Sequence, residues 1–204
     1  MDSRKYFLAG IALLAMAGGA WMSWQVLRTP PQLQAATLLP SAAALPEFEL
    51  IDDSGNAFSR SDFGGQWNLV FFGFTHCPDV CPLTLQVLAD ARQRMQAAGI
   101  ENLPRIVLVS VDPERDSAEV MRLYMAHFGE GAIGITGTLP ELRKLTGNIG
   151  IYFEKSGDDT ENYTVDHSAV VVVIDADARF HALFGAPQDA AQIAHDMPIL
   201  MSVH

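Results

Sequence analysis

The sequence predicts an α/β domain, a central mixed sheet flanked by helices, carried behind an apolar N-terminal segment. Three observations lead there. Two continuous apolar runs of strand length, "WNLVFFGF" (67–74) and "RIVLVSV" (105–111), fit strands buried on both faces. A stretch of helical spacing lies between them, which makes a βαβ unit and a partly parallel sheet. The chain also opens with no charged residue from Tyr6 to Leu27.

That opening run is long enough to span a membrane, which takes about 20 mainly apolar residues. Arg4 and Lys5 precede it and favour a cytoplasmic N-terminus, while Trp21 and Trp24 sit near the far end, where indoles prefer the membrane–water boundary. A cleaved signal peptide is the competing reading, with "AGGA" (17–20) as its small-residue cleavage site. Either reading exports the chain beyond Arg28. No cysteine lies near the end of the run, which excludes a lipid anchor on cysteine.

Residues 29–46, "TPPQLQAATLLPSAAALP", hold four prolines and no charge and read as a spacer. The expected organisation is an anchor over 1–28, a linker over 29–46 and one domain over 47–204. "EFELIDDSGNAFS" reads as a hairpin turning at Asp-Ser-Gly-Asn. After the first buried strand, Pro82 sits where a first helical turn tolerates proline. The next helix places Leu85, Leu88, Ala89 and Met95 on one side and ends at Gly99. "DPERDSAEVMRLYMAHFG" and "TGTLPELRKLTGN" give two more helices. Asp116/Glu119 and Thr138/Glu141 have capping-box spacing. "IGIYFEK" and "YTVDHSAVVVVIDADARFHALFG" contain two or three strands, and "PQDAAQIAHDMPILM" closes with a helix. The order is thioredoxin-like.

The chain is acidic, formally −11. Residues 1–28 carry three basic side chains and one acidic, so the exported part stands at −13. Such a domain is a poor partner for nucleic acid or an anionic membrane surface. A basic protein partner, cation capture or simple solubility all remain open.

Chemistry concentrates in "FFGFTHCPDVCPLTL" (71–85), which holds the only two cysteines. Cys77 and Cys81 fall at the C-terminal end of the first central strand and before a helix, where open α/β sheets place their sites. A disulfide between them closes a tiny loop and adds little stability. Two functional readings stand: a thiol–disulfide exchanger whose thiolate is favoured by the helix N-terminus, or two soft sulfur ligands for copper(I) or zinc, needing a third. Spacing of i, i+4 puts both sulfurs on one face of a first helical turn.

Among the six histidines, His76 should point away from its neighbour Cys77. His127, His181, His195 and the terminal His204 read as surface or satisfied polar residues. His167 stands apart in "YTVDHSAVVVVI", a polar Asp-His-Ser group opening a run that is apolar from 169 to 174. The pairs Met121/Met125 and Met197/Met201 have the spacing of core packing on amphipathic helices.

"FTHCPDVCP", "VSVDPERD" and "YTVDHSAVVVVID", in this order and at these separations, closely resemble the Sco (SenC) family. These are membrane-anchored copper chaperones for cytochrome c oxidase assembly. The likeness covers about residues 46 to 200. It implies a thioredoxin-like domain and a metallochaperone rather than an enzyme. It implies copper as Cu(I) and Cu(II), held by Cys77, Cys81 and His167, with the Cys77–Cys81 disulfide as the unloaded form. It further implies assembly of the oxidase's dinuclear copper centre. The partners would be the oxidase's copper-binding subunit and a second copper chaperone or thiol reductant, met on the periplasmic side of the inner membrane. Asp112 is assigned to shaping the site or a partner surface, and Asp166 to orienting His167. The alternative is a thiol–disulfide reductase acting on the oxidase's copper-site cysteines. Against a general exchanger, no proline lies between Pro140 and Pro187, where thioredoxins carry their cis-proline.

Overall fold

The computed structural model describes residues 3–27, 32–157 and 163–202. Arg28, the first spacer residues (29–31), His204 and the side chains of Arg4, Lys5 and Trp24 lie outside the described set. The chain divides into two units, 1–32 and 33–204. The first is a single helix, α1 (Ser3–Leu27), whose window Tyr6–Ser23 has a mean hydropathy of 1.5 and is long and apolar enough to cross a membrane.

The second unit runs in chain order through β1 (Ala36–Ala44), β2 (Leu50–Asp52), β3 (Ala57–Phe58), a 3-10 turn (Arg60–Phe63) and β4 (Asn68–Gly73). It continues with α2 (Val80–Ala97), β5 (Arg105–Ser110), α3 (Ala118–Met125), β6 (Ile133–Thr136) and α4 (Leu139–Asn148). Four strands come next, β7 (Phe153–Ser156), β8 (Thr164–His167), β9 (Val171–Ile174) and β10 (Arg179–Phe184), and then α5 (Ala190–Ser202). Eight strands form one sheet in the order β1-β10-β9-β4-β5-β6-β2-β3, and β7 and β8 form a separate ribbon. The sheet is mixed, as expected: β4, β5 and β6 are parallel, and the flanking pairs are antiparallel. Every residue of β4 and β9 is buried, which explains their unbroken apolar runs. Leu85, Leu88, Ala89 and Met95 of α2 are buried, α2 packs against α5, and Met121 and Met125 of α3 pack on β6.

The structure corrects the sequence reading in four places. Residues 36–44 of the expected spacer are a strand on the sheet edge, paired antiparallel with β10. An edge tolerates proline, and the register shift between Leu38 and Ala43 spans Pro40. The domain therefore starts near Leu33, not Glu47. Its first residues are held by Asp196 of α5, whose buried carboxylate accepts the backbone N–H groups of Gln34, Ala35 and Ala36 at 2.8–3.0 Å. Second, β6 was not anticipated, because four residues among Gly129, Gly131, Gly134 and Gly137 carry too short a pattern. Third, four strands lie between 153 and 184, not two or three. Fourth, neither expected capping box forms. Ser117 caps α3 by accepting Val120 N–H, and Glu141 instead accepts from Glu49 N and Lys144.

Candidate metal centre

β4 delivers the chain to the upper edge of the sheet, and the turn Phe74–Asp79 carries it into α2. Cys81 lies in the first turn of α2 and is fully buried; Cys77 lies in the preceding turn, half-buried, its N–H donating to the Phe74 carbonyl at 3.3 Å. The expectation that both sulfurs sit in one helical turn is thus corrected, because the helix begins only at Val80. Cys77 nevertheless stands close enough to act on the Cys81 thiol, and neither cysteine is in a disulfide.

Gly73, the last residue of β4, makes room for Cys81. A Cβ at this position would lie 2.9 Å from Cys81 Sγ and 2.9 Å from Phe71 Cε1. Glycine is required here by close approach, not by its dihedral freedom.

The third element comes from the β7–β8 ribbon. His167 ends β8 and places Nε2 3.6 Å from Cys81 Sγ. Its Nδ1 lies 3.3 Å from the Ser168 carbonyl. A carbonyl accepts only, so that contact puts the proton on Nδ1 and turns the Nε2 lone pair toward the sulfur. The rings of Phe71 and Phe74 stand edge-on to the imidazole at 5.7 and 6.0 Å. Burial in this apolar setting lowers the His167 pKa, against the Ser168 contact and the Asp166 charge, so the ring is neutral at neutral pH. Burial also pushes the Cys81 thiol well up, with the Cys77 thiol adding to the shift. The metal-free site therefore holds a protonated Cys81, and a metal must displace that proton.

Asp166 does not hydrogen-bond His167; the Ser168 carbonyl takes that role. Asp166 is exposed on the neighbouring position of the strand, opposite Glu154, and reaches the imidazole only through its charge. His76 turns away from the sulfurs, as expected, with Nδ1 3.1 Å from Thr75 Oγ1. His127 is exposed, His181 stands 3.7 Å from the Asp175 carboxylate, and His195 bonds Asp196 at 2.8 Å. Met121, Met125 and Met197 are core residues.

Sequence reasoning missed Asp116, read as a helix cap. It is fully buried beneath the cysteine turn. It accepts Thr75 N–H at 3.1 Å, Thr75 Oγ1–H at 2.5 Å and Ser110 Oγ–H at 2.7 Å. Asp112 is also buried, and accepts the Tyr163 hydroxyl at 2.6 Å and Arg115 Nε at 2.5 Å. An aspartate four residues after another, both beside a strand end, was the available signal; its meaning needed the fold.

Two soft sulfurs and a neutral imidazole nitrogen suit copper in either common oxidation state. Among the described residues, no three His, Cys, Asp or Glu side chains already stand at metal-holding distance from a common point. The pair in contact is Cys81 and His167, and the half-buried Cys77 is the arm left to close.

Fold and site together define a thioredoxin-like protein with a thiol–imidazole centre at the strand ends, where exchangers carry their active thiols. The SCO1/SenC family description matches residues 37–202, and the chain belongs to that family. The human mitochondrial SCO2 homologue is 34% identical over 182 residues, covering 87% of this chain and 68% of its own. A putative copper-binding protein of Stutzerimonas stutzeri is 33% identical, covering 74% of this chain and 73% of its own. The crystal structure of Arabidopsis thaliana ScoI with copper bound superposes with a TM-score of 0.74 at 30% identity, over 79% of this chain and all of that one.

Proposed function

We propose that this chain is a copper metallochaperone which binds Cu(I) and Cu(II) through Cys77, Cys81 and His167. It supports assembly of the dinuclear copper centre of cytochrome c oxidase. The observation that carries the reading is the contact between Cys81 Sγ and the unprotonated Nε2 of His167 at 3.6 Å, beside a second free thiol. Copper-bound relatives of the same fold support it. α1 holds the protein in the inner membrane as a single span, with the domain on the periplasmic side. Its partners are the oxidase's copper-binding subunit and a copper donor or thiol reductant. It acts by holding and handing on metal, not by turnover.

The chemistry comes from the chain's own groups. Cys77 and Cys81 supply thiolates once their protons leave, and His167 needs no deprotonation. Three ligands leave the metal open to an incoming ligand from another protein. Oxidation of the two thiols to a disulfide releases two electrons and two protons to an oxidant and removes both sulfur ligands, which gates loading by redox state.

The test is copper binding by the reduced full-length protein in detergent, wild type against His167→Ala. The three-ligand reading requires weaker binding in the variant; unchanged stoichiometry and affinity refute it. The adjacent free thiols favour a second reading, a reductase for the oxidase's copper-site cysteines. That activity needs both cysteines and survives His167→Ala.

A further inference from the structure

The ribbon that carries His167 is not part of the main sheet. β7 and β8 pair only with each other, and an isolated two-stranded ribbon is marginally stable by itself. Side chains must therefore aim the histidine. The cysteine turn has the same difficulty, since residues 74–79 contain no regular element. Both are tied to one short stretch, Ser110–Asp116.

We propose that this stretch is a bracket holding the two arms of the metal site in register, with its two aspartates dividing the task. Asp116 is the positioning residue for the cysteine arm, and Asp112, with Arg115 and Tyr163, positions the histidine arm. The inference rests on the copper-site reading and extends it to residues that touch no metal.

On the cysteine arm, Asp116 receives both the N–H and the hydroxyl of Thr75, two residues before Cys77. Ser110 ties the same carboxylate to the end of β5, and its Oγ accepts Asp112 N–H at 3.0 Å. Backbone pairing closes the bracket on the sheet, with Val111 N–H donating to the Gly73 carbonyl at 2.9 Å.

On the histidine arm, Asp112 grips the Tyr163 hydroxyl, and Arg115 Nη1 donates to the Tyr163 carbonyl at 3.2 Å. The Arg115 guanidinium lies 3.7 Å from the centre of the Tyr163 ring and 5.8 Å from that of Phe74. Phe74 in turn stands edge-on to His167. Tyr163 leads directly into β8, four residues before His167. Hydrogen bonds, stacking and chain direction thus converge on where the imidazole points. Groups of this kind around a metal site typically change its affinity about 10- to 100-fold when removed.

The two arms serve different oxidation states. Soft sulfur favours Cu(I), whereas imidazole matters more for Cu(II). Loosening the histidine arm should therefore weaken Cu(II) selectively, and loosening the cysteine arm should weaken both states.

The experiment compares wild type, Tyr163→Phe, Arg115→Lys and Thr75→Val as reduced full-length proteins in detergent. Tyr163→Phe removes only the hydroxyl that reaches Asp112. Arg115→Lys keeps the charge but loses the planar fork and its stacking. Thr75→Val removes only the hydroxyl that reaches Asp116. Cu(I) affinity is read by chelator competition without oxygen, Cu(II) affinity by titration, and the Cu(II) environment by electron paramagnetic resonance. Thermal midpoints check that each variant is folded. The expected result for Tyr163→Phe and Arg115→Lys is about a 10-fold or greater loss for Cu(II), with an altered resonance spectrum and much less change for Cu(I). Thr75→Val should lower both affinities together. Equal losses for the two states in the histidine-arm variants, or none, would overturn the bracket while leaving the copper reading intact. A wild-type protein that binds neither state removes the copper reading itself, and the bracket with it.

Discussion

Replacing Gly73 with alanine tests the packing that seats Cys81. The added methyl would meet Cys81 Sγ and Phe71 Cε1 at 2.9 Å each and Leu108 Cδ1 at 3.4 Å. Comfortable carbon contacts lie at about 3.5–4.0 Å, so two neighbours must each give way by more than about half an ångström. The strand cannot yield, because β4 is paired on both sides, parallel to β5 and antiparallel to β9. Sulfur and ring must move instead, and overpacking of this kind costs about 1–3 kcal/mol. For a chain of this size that lowers the melting midpoint by roughly 2–12 °C. The functional loss should be larger than the stability loss. Metal–ligand distances tolerate only about 0.2 Å, and Phe71, the other displaced group, stands against His167. Thermal melts of the metal-free protein and chelator competition for copper give the two readings. An unchanged midpoint with unchanged copper affinity would refute the close approach of Cys81 to the end of β4.

Further outcomes are expected elsewhere. Asp196→Asn keeps one oxygen for the Ala35 and Ala36 N–H groups but sets an amide N–H₂ where Gln34 N–H and His195 now meet a carboxylate oxygen, and should cost about 1–3 kcal/mol, with faster amide exchange across 36–44 as the local signature. Burial opposes ionisation of Asp196, but the bonds from His195, Ala35, Ala36 and Gln34 outweigh it and hold its pKa below the usual carboxylate value. Its stabilisation is therefore present above about pH 3.9 and lost as the pH falls through the lower folded value; acid melts of wild type should show this loss, and those of Asp196→Asn should lack it. Cys81→Ser should abolish tight Cu(I) binding while leaving circular dichroism nearly unchanged, and an unfolded variant would contradict the view that no cross-link supports this fold. Removing residues 1–32 should move the protein from the membrane to the soluble fraction with its melting midpoint preserved, since the core lies in the second unit.

Periodicity alone made the buried strands β4, β5 and β9 and the helices α2, α3 and α5 legible, because each repeats a burial pattern over many residues. β1 and β6 were not legible. β1 owes its place to an edge that accepts Pro40 and to a carboxylate 160 residues away. β6 is held by parallel pairing to β5, not by any signal of its own four residues.

The site divides in the same way. Sequence by itself singled out two thiols at the end of a buried strand and a histidine ahead of a second apolar run; the structure corrects the second placement, since His167 closes β8 and does not open the buried strand β9. Those choices follow from local chemistry, since soft ligands and strand-end placement can be read along the chain. Only the tertiary structure decided that Cys81 and His167, separated by 86 residues, come into contact. It also decided that the proton of His167 sits on Nδ1, that Cys77 lies before the helix, and that Asp116 is a buried brace and not a cap. A carboxylate carries no mark of its partner in the sequence; Asp116 took its role from Thr75 and Ser110, which parallel pairing of β4 and β5 delivers to the same sheet edge.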